Sequence, residues 1–537
     1  MPQFQSTVDP DSASFQENRR AMLALVEEVA AFERKVSDRS AAAKSKFEAR
    51  KQLLPRERLA QLFDRGTAVV SLTPLAGLGM HDDDGKDNVL GGAVIAQIGF
   101  VRGTRVVAIA NDSAIKGGAT TPMGLKKYLR AQEIALENRL PVILLVESAG
   151  ANLAYQTELF AEGGRRFFNM ARLSAAGIPQ ISVVHGSCTA GGAYLPGMSD
   201  YCIMVRGRAK VFLAGPPLLK AATGEITEDE DLGGADMHAT VSGSAEFLAD
   251  DDAHAIGIAR DIVGSLGWQA SRTTQREWRE PELSPDELAG VVPVDYRKRY
   301  DVREVVARLV DGSEFVDFKP DFGSQIFCGF GAIEGTQCGF IGNNGPIFPD
   351  AAAKATQFIQ LCTQARKPII YLQNTTGFMV GREMERAGMI KHGAKMIQAV
   401  SNAPVPSITL LIGASFGAGN FGMCGRSYNP RFIFAWPNSR ISIMGGEQAA
   451  TVMEIVTSQK LARQGKQPDA ARMATRRNEI IAKVEADSAA LAATGRMWDD
   501  GIIDPRDSRR ILAFCLASWR EAQLRELQPL TFGVSRI

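Results

Sequence analysis

The stretch GSCTAGGAY at residues 186–194 decides the fold, because the chain contains a second version of it, GASFGAGNF, at residues 413–421. The two stretches align without a gap at one constant offset, and the same offset relates the apolar run 142–146 to the run 369–372. A constant offset over such a long segment indicates one large unit that has been duplicated, and not a short solenoid repeat. Two copies of one domain predict two related sites, which serve two half-reactions or two substrates.

Composition predicts a soluble enzyme. The 537 residues include 61 basic and 60 acidic side chains, a net charge of +1, so no bulk charge draws the chain to nucleic acid or to an anionic membrane. The seven cysteines form no CxxC pair, which favours reduced, buried thiols. No run of about 18 apolar residues occurs, and no signal peptide opens the chain, which predicts a cytoplasmic location.

The order of apolar and polar runs predicts the domain organisation. Residues 1–60 have helical spacing and a polar composition, and they are expected to form an N-terminal helical arm. Short apolar runs then alternate with helix-like stretches, which predicts an α/β fold with mainly parallel sheets. The expected domains are residues 61–280 and residues 290–537, joined by a segment rich in Thr, Arg, Glu and Pro.

The two Gly-rich stretches carry the strongest chemical signal. Each follows a buried strand and precedes a helix-like segment, where the first backbone N–H groups have no partner inside the helix. Two such donors form an oxyanion hole, which stabilises an enolate without a titratable side chain. The alternative is close packing of helix on strand, which also requires Gly and Ala. The matched duplicate favours the functional interpretation.

Other kinds of site have no support in the sequence. No GxxxxGK[ST] loop, no GxGxxG followed by an acidic residue and no GxSxG elbow occurs. The five histidines are scattered and lack metal-ligand spacing, so no metal site is expected. What remains is a site built from backbone amides, which suits enolate chemistry on a thioester.

At this point the chain resembles the carboxyltransferase β subunits of biotin-dependent acyl-CoA carboxylases over essentially its full length. The motifs that carry the resemblance are GSCTAGGAY at 186–194, FLAGPP at 212–217, GGADMH at 233–238, GFMVG at 377–381, FGAGN at 416–420, MGGEQA at 444–449 and WDDGIIDPR at 498–506. The resemblance implies a ligase made of two tandem crotonase-like (ClpP/crotonase) β/α superhelix domains. It also implies that the first domain binds the acyl-CoA thioester and that the second binds biotin.

The resemblance also implies site residues. By motif position, Ala190 and Gly191 bind the thioester oxygen, and Ala418 and Gly419 bind the ureido oxygen of biotin. Further residues of the acyl-CoA site are Gly150, Gly163, Gly164, Thr189 and Gly192, and further residues of the biotin site are Gly377, Phe378, Phe416 and Gly417. In this family the ureido nitrogen takes the substrate proton once CO2 is released, in accord with the lack of an evident general base.

Partners follow from what the chain lacks. It has no ATP-binding Gly-rich signature and no Met-Lys-Met biotinyl site, so a separate biotin carboxylase and biotin carrier α subunit must load the carboxyl group. The resemblance implies a homohexameric β core in an α6β6 complex. The active site is then expected between the first domain of one chain and the second domain of its neighbour.

Within the family, the chain is most similar to the branch that carboxylates the γ-methyl carbon of 3-methyl-2-enoyl thioesters. In methylcrotonyl-type subunits a Phe precedes a Gly before the Phe-Phe-Asn motif, whereas Gly163 takes that place here, followed by Gly164. Loss of a ring opens space for a prenyl tail, which favours geranyl-CoA of acyclic terpene catabolism. The alternative reading is a loop deletion without effect on the pocket.

Four alternatives stay open. 3-Methylcrotonyl-CoA of leucine catabolism is the second substrate. A crotonase-type hydratase or isomerase shares the fold, but it needs carboxylates for acid–base work, and Glu147 has only Asn374 as its counterpart. A subunit of a sodium-pumping decarboxylase has the same duplicated form and differs by its membrane partner. A non-catalytic scaffold does not explain two retained oxyanion motifs.

Overall fold

The computed structural model describes residues 2–80, 89–268, 277–531 and 533–534. The chain divides into two compact units, each assembled from separated stretches. The N-terminal unit comprises Ala31–Thr274, Gly495–Met497 and Ala517–Ile537. The C-terminal unit comprises Met1–Ala30, Gln275–Thr494 and Trp498–Leu516. Each unit therefore includes a segment from the opposite end of the chain.

The N-terminal unit contains one mainly parallel sheet in its described residues. Its strands are β1 Val70–Leu72, β2 Val94–Val101, β3 Thr104–Asn111, β4 Val142–Ser148, β5 Gln180–Thr189, β6 Tyr201–Val205, β7 Lys210–Phe212 and β8 Phe247–Ala249. The order is β1-β2-β3-β4-β5-β6-β8, and β7 also pairs with β5. Pairing is antiparallel from β1 to β3 and parallel from β3 onward.

The C-terminal unit repeats this pattern. Its strands are β9 Phe315–Asp317, β10 Ile326–Ile333, β11 Thr336–Asn343, β12 Ile369–Thr375, β13 Ser407–Phe416, β14 Phe432–Ala435 and β15 Arg440–Ser442. The order in the described residues is β14-β13-β12-β11-β10-β9, and β15 pairs with β13. Pairing is again antiparallel up to β11 and parallel beyond it.

The register shows the duplication residue by residue. Val142 on β4 lies opposite Gln180 on β5, and their equivalents Ile369 and Ser407 lie opposite each other in the second sheet. Both pairs of strands also shift register near their carboxyl ends, after Val146 and Gln373 respectively. The predicted duplication and the mainly parallel α/β fold are therefore confirmed.

Helices connect the parallel strands. Helix α4, for example, begins where the Thr121 hydroxyl accepts a hydrogen bond from Gly124 N and Pro122 takes the first helical position, both common at a helix start. The helices are α1 Ala13–Ala41, α2 Lys44–Ala49, α3 Pro55–Leu62, α4 Pro122–Glu137, α5 Gln156–Ala175, α6 Tyr194–Gly197, α7 Pro216–Thr223, α8 Asp229–Gly233, α9 Ala235–Thr240, α10 Asp252–Ser265, α11 Leu288–Val291, α12 Val302–Ala307, α13 Pro349–Gln364, α14 Arg382–Arg386, α15 Met389–Asn402, α16 Gly417–Gly422, α17 Gly446–Arg463, α18 Ala470–Ser488, α19 Ala490–Gly495 and α20 Ser508–Leu524.

The central strands are buried on both faces. All residues of β3 and β12 are buried, as expected for strands covered by helices on both sides. The seven cysteines are buried, as predicted, and the structure pairs none of them in a disulfide. No helix in the described part of the chain combines the length and the apolar character that crossing a membrane requires.

Candidate active site

Each Gly-rich stretch forms a turn between a buried strand and a short helix. In the first copy, β5 ends at Thr189 and a 3-10 helix at Ala190–Ala193 leads into α6. In the second copy, β13 ends at Phe416 and α16 begins at Gly417. The predicted strand–turn–helix arrangement is therefore present twice. Because the helices are only about one turn long, local N–H groups and not a long helix dipole dominate the field there.

A left-handed residue opens both turns. Ala190 has a φ of 51° and its equivalent Gly417 has a φ of 54°. A side chain in this region is strained, so the surrounding structure must hold Ala190 in place. This equivalence also sets Gly191 opposite Ala418. The predicted pair Ala190 and Gly191 thus corresponds to Gly417 and Ala418. The predicted pair Ala418 and Gly419 lies one residue further along the second turn.

A second glycine lies beside each turn. Gly150 and Gly377 are equivalent, with φ of 88° and 114°, and each donates its N–H to the hydroxyl two residues earlier. A Cβ added to Gly150 would lie 3.5 Å from Thr189 O and 3.9 Å from Ala190 Cβ. The structure therefore brings together Gly150, Thr189 and Ala190, three of the residues predicted for the acyl-CoA site. Their role in binding stays a prediction.

The glycines of the second turn are also needed for close packing. A Cβ at Gly419 would lie 2.8 Å from Gly377 Cα, so no side chain fits there. A Cβ at its counterpart Gly192 would meet Cys188 Sγ at 3.6 Å, an ordinary contact. Packing alone therefore explains Gly419, whereas it does not explain Gly191, where an added Cβ would meet only Phe167 Cζ, at 3.9 Å.

The two predicted aromatic residues of the second site lie on its inner side. Phe416 is buried and packs edge-on against Tyr296, with ring centroids 5.3 Å apart. Phe378 is partly buried and packs against the hydrophobic core of the C-terminal unit. A Cβ at Gly422 would lie 3.0 Å from its ring. Both rings pack on the inner side of the turn and support its backbone.

A cavity of about 490 Å³ opens at the second turn. Its lining residues are Ser415, Gly417, Ala418, Asn420, Phe421, Arg426, Ser427, Ile433, Ile441, Ser442, Ile443 and Trp498. The walls are mainly apolar, and the turn supplies backbone amides. Sequence reasoning did not single out Arg426 or Ile443. For Arg426, the available signal was the greater length of the segment between the turn and the next strand in the second copy.

Exposed apolar side chains surround both turns. Tyr194 and its equivalent Phe421, directly after the turns, are 47% and 40% exposed. Leu213 after β7 and Ile443 after β15 are 59% and 82% exposed. Apolar groups clustered at a site in this way indicate a surface that another molecule covers.

Gly163 and Gly164 lie within helix α5 and not in a loop. A Cβ added to either would meet no atom within 4 Å, and neither has a positive φ. Phe167, one helical turn after Gly163, packs against Tyr194 at 5.5 Å between ring centroids. Gly163 therefore lies on the helix face that contacts the first turn, with open space around it.

Glu147 and Asn374 are equivalent, and both are committed to internal contacts. Glu147 Oε2 accepts hydrogen bonds from Arg58 Nη1 at 2.8 Å and from Ser113 Oγ at 2.9 Å. Asn374 Oδ1 accepts from Ala414 N at 3.0 Å. These contacts fix the backbone ahead of each turn and leave neither side chain placed as a free acid or base.

His185 lies in the same buried network of the N-terminal unit. Its Nδ1 is 2.9 Å from Asp252 Oδ1, and its side chain is fully buried. Burial, together with the charge of Arg58, lowers the pKa of His185 to about 4. Burial alone would raise the pKa of Asp252, but hydrogen bonding to His185 and the charge of Arg58 lower it to about 2. A neutral imidazole therefore donates to an ionised carboxylate.

This network predicts an acid-sensitive N-terminal unit. Between pH 6.5 and pH 4 the unfolded chain binds a proton at His185 that the folded chain does not, so stability is full above this window and falls as the pH drops through it. The free energy of unfolding should fall by about 2 kcal/mol from pH 7 to pH 5. Urea titrations at both pH values measure the change. In His185→Gln the fall in the free energy of unfolding between pH 7 and pH 5 should be smaller than in the wild type. An equal fall would show that other groups cause it.

Comparison with known proteins shows the family to which this chain belongs. The Carboxyl transferase domain family matches residues 47–531. A probable biotin-dependent acyl-coenzyme A carboxylase beta2 subunit of Mycobacterium tuberculosis is 46% identical, over 99% of this chain and 100% of its own. The mitochondrial methylcrotonoyl-CoA carboxylase beta chain of Dictyostelium discoideum is 49% identical, over 87% of this chain and 80% of its own.

A solved structure agrees with the whole fold. The crystal structure of the beta subunit of Pseudomonas aeruginosa geranyl-CoA carboxylase matches with a TM-score of 0.94 and 54% identity, and the match covers 100% of both chains. The predicted crotonase-like carboxyltransferase fold is thereby confirmed. Together with the two strand–turn–helix sites, these matches identify the chain as an enzyme of the carboxyl transferase family, related to the β subunits of geranyl-CoA and methylcrotonyl-CoA carboxylases.

Proposed function

We propose that this chain moves a carboxyl group from biotin on a separate α subunit to the γ-methyl carbon of a 3-methyl-2-enoyl-CoA, with geranyl-CoA as the favoured substrate. The observation that carries the proposal is the repeated turn, with a left-handed residue at Ala190 and Gly417 and a second glycine beside each. Two backbone-amide sites with the same turn conformation suit a reaction in which one oxygen atom of each reactant gains negative charge.

In the first copy, the N–H groups of Ala190 and Gly191 bind the thioester oxygen. They stabilise the negative charge that develops there as the γ-proton leaves, and Gly150 and Thr189 hold the turn in this geometry. Because the donors are fixed before the reaction, no reorganisation is needed in the transition state. Gly192 lies in the same turn and completes the proposed acyl-CoA site.

In the second copy, backbone N–H groups of the turn at Gly417, Ala418 and Gly419 bind the ureido oxygen. Apolar walls such as Ile433 and Ile441 beside these amides support the binding of a biotin ring in the cavity. When bound, carboxylated biotin supplies the carboxyl group, and its ureido nitrogen supplies the base. Phe416 and Phe378 support the turn, and Gly377 keeps its backbone close.

Geranyl-CoA is favoured by the open space at Gly163 in α5 and by the solved relative with 54% identity. 3-Methylcrotonyl-CoA is the second candidate, favoured by the methylcrotonoyl-CoA carboxylase beta chain with 49% identity. A hydratase or isomerase is disfavoured because Glu147 pairs with the buried Arg58 and is not directed at a substrate.

The apolar surface around both turns supports an oligomer. We infer a homohexamer of β subunits in an α6β6 complex, in which the first domain of one chain, residues 61–280, meets the second domain of its neighbour, residues 290–537. Tyr194 and Phe421 would be covered in that arrangement. Free, buried cysteines support a cytoplasmic location. Light scattering on the purified β subunit should give six chains, and a stable monomer with full activity would contradict the assembly.

Co-purification with the biotinylated α subunit allows a direct test of function. With ATP and labelled bicarbonate, the complex should label geranyl-CoA more efficiently than 3-methylcrotonyl-CoA, and unbranched acyl-CoAs should stay unlabelled. Omission of ATP should abolish labelling, because the carboxyl group must first be loaded on biotin. Hydration of an enoyl-CoA without ATP and bicarbonate would show hydratase chemistry instead.

A further inference from the structure

Arg426 is the charged side chain among the described residues that line the cavity of the second turn. It shares that cavity with Ala418, whose backbone belongs to the turn, and with the apolar side chains Phe421, Ile441 and Trp498. A cation beside these apolar walls costs desolvation energy unless it meets an anion. Asp500 is one such anion, and the donors of the guanidinium that Asp500 does not use point to a second negative charge, on the ligand.

A buried carboxylate holds Arg426 in place. Arg426 Nη1 donates to Asp500 Oδ1 at 2.9 Å, and Asp500 is fully buried. Asp500 Oδ2 accepts from Ile433 N at 3.0 Å, so β14 fixes the carboxylate in turn. Within the part of the chain that the structure describes, no hydrogen bond is found for Nε or Nη2 of Arg426. Its planar fork thus retains donors for a second carboxylate.

The first copy has no equivalent of this cation. The segment from Gly417 to Phe432 is longer than its counterpart from Ala190 to Tyr201, and Arg426 begins a 3-10 helix, Arg426–Tyr428, inside it. The counterpart segment contains the buried Ser199, which hydrogen-bonds Ser182 and Leu195 O. Of the two reactants, the thioester is neutral at its reacting end, whereas the carboxylated ureido ring is anionic. The copy that carries the additional cation is thus the copy proposed to bind the anionic reactant.

We propose that Arg426 is a catalytic residue that binds the carboxylate carried on the ureido nitrogen, and that Asp500 is the residue that positions it. This inference rests on the proposed function and extends it to the group in transit. The turn amides bind the ureido oxygen, and Arg426 binds the carboxylate on the adjacent nitrogen. The second site thus recognises the loaded ring and not the ring alone.

The reverse reaction of the assembled β subunit isolates this step. Free biotin and the carboxylated product of geranyl-CoA are supplied, so that the carboxyl group passes from the γ-carbon to the ureido nitrogen and a proton passes the opposite way. Arg426→Gln should lower kcat by about tenfold or more, because a charge-assisted hydrogen bond is lost as the carboxylate forms. KM for biotin, which is uncharged at the ring, should change less than threefold. Arg426→Lys should recover part of the rate.

Two further variants keep the test decisive. The double variant Arg426→Gln, Asp500→Asn removes both charges, so no buried carboxylate is left unpaired. If this variant folds and shows the same loss of kcat, the result supports the proposal. Arg463→Gln, an exposed arginine at the end of α17, should match the wild type. A wild-type kcat in Arg426→Gln, or a rise in KM for biotin alone, would overturn the role of Arg426. A wild type without any biotin-dependent reaction would overturn the proposed function itself.

Discussion

Replacing Ala418 by valine is expected to lower kcat for carboxyl transfer by about a hundredfold or more, with only a small change in KM for the acyl-CoA. Loss of one oxyanion donor typically costs 10²- to 10³-fold in kcat. Ala418 is exposed in the cavity of the second turn, so the added methyl groups enter the space of the ligand and not the core. They displace the ureido oxygen from the amides, and the loss appears in the transition state. Steady-state kinetics of the α–β complex measure both constants.

The matched control is Ala418→Gly, which keeps the N–H groups and should retain most of kcat. The same experiment at Ala190 is less clean, because Ala190 has a φ of 51° and a β-branched side chain there would strain the backbone as well. Ala190→Gly should instead relieve strain and keep activity. Unchanged turnover in a folded Ala418→Val protein would show that the turn only packs the fold.

Replacing Gly163 by phenylalanine is expected to reduce use of geranyl-CoA at least tenfold more than use of 3-methylcrotonyl-CoA. Gly163 lies on the face of α5 that carries Phe167, which contacts the first turn through Tyr194. A ring at this position occupies the open space beyond the reacting methyl group and excludes the extra isoprene unit. The ratio of kcat/KM for the two substrates measures the discrimination.

Folding should survive this change. Gly163 has helical backbone geometry, and an added Cβ meets no atom within 4 Å, so a side chain there does not strain the backbone and its Cβ does not clash. Glu162→Phe carries the same ring on a different face of α5 and should not discriminate, and Gly163→Ala should accept both substrates. Thermal melting and light scattering check that every variant folds and assembles. Equal losses on both substrates would mean that other residues set the chain length.

Strands and duplication were predictable because they depend on local pattern. The apolar run 201–205 is strand β6, Tyr201–Val205, and the run 142–146 lies within β4. Helix α5 begins at Gln156 and continues through Gly163 and Gly164, although these adjacent glycines lower helix propensity locally, because the apolar side chains Leu159 and Met170 anchor the helix. Packing overrode propensity there.

The site was predictable in part. Its two turns could be read from the repeated motif, yet the left-handed backbone of Ala190 could not, because alanine rarely adopts it and only the surrounding fold imposes it. Arg426 could not be found for a related reason. Its place in the cavity depends on Asp500, which is distant in sequence and meets it only in the folded unit. Contacts of this kind leave no local pattern.

The discontinuous make-up of the two units has a consequence for biosynthesis. The N-terminal unit includes Ala517–Ile537, and Arg105 on β3 pairs with Glu521 of this segment at 2.9 Å, while Leu530 N donates to Ala175 O at the end of α5. The N-terminal unit is therefore completed only after the segment Ala517–Ile537 has been synthesised. Until then, the nascent chain exposes the surface that this segment will cover, so chaperone binding to stalled chains should persist until Ala517–Ile537 has left the ribosome.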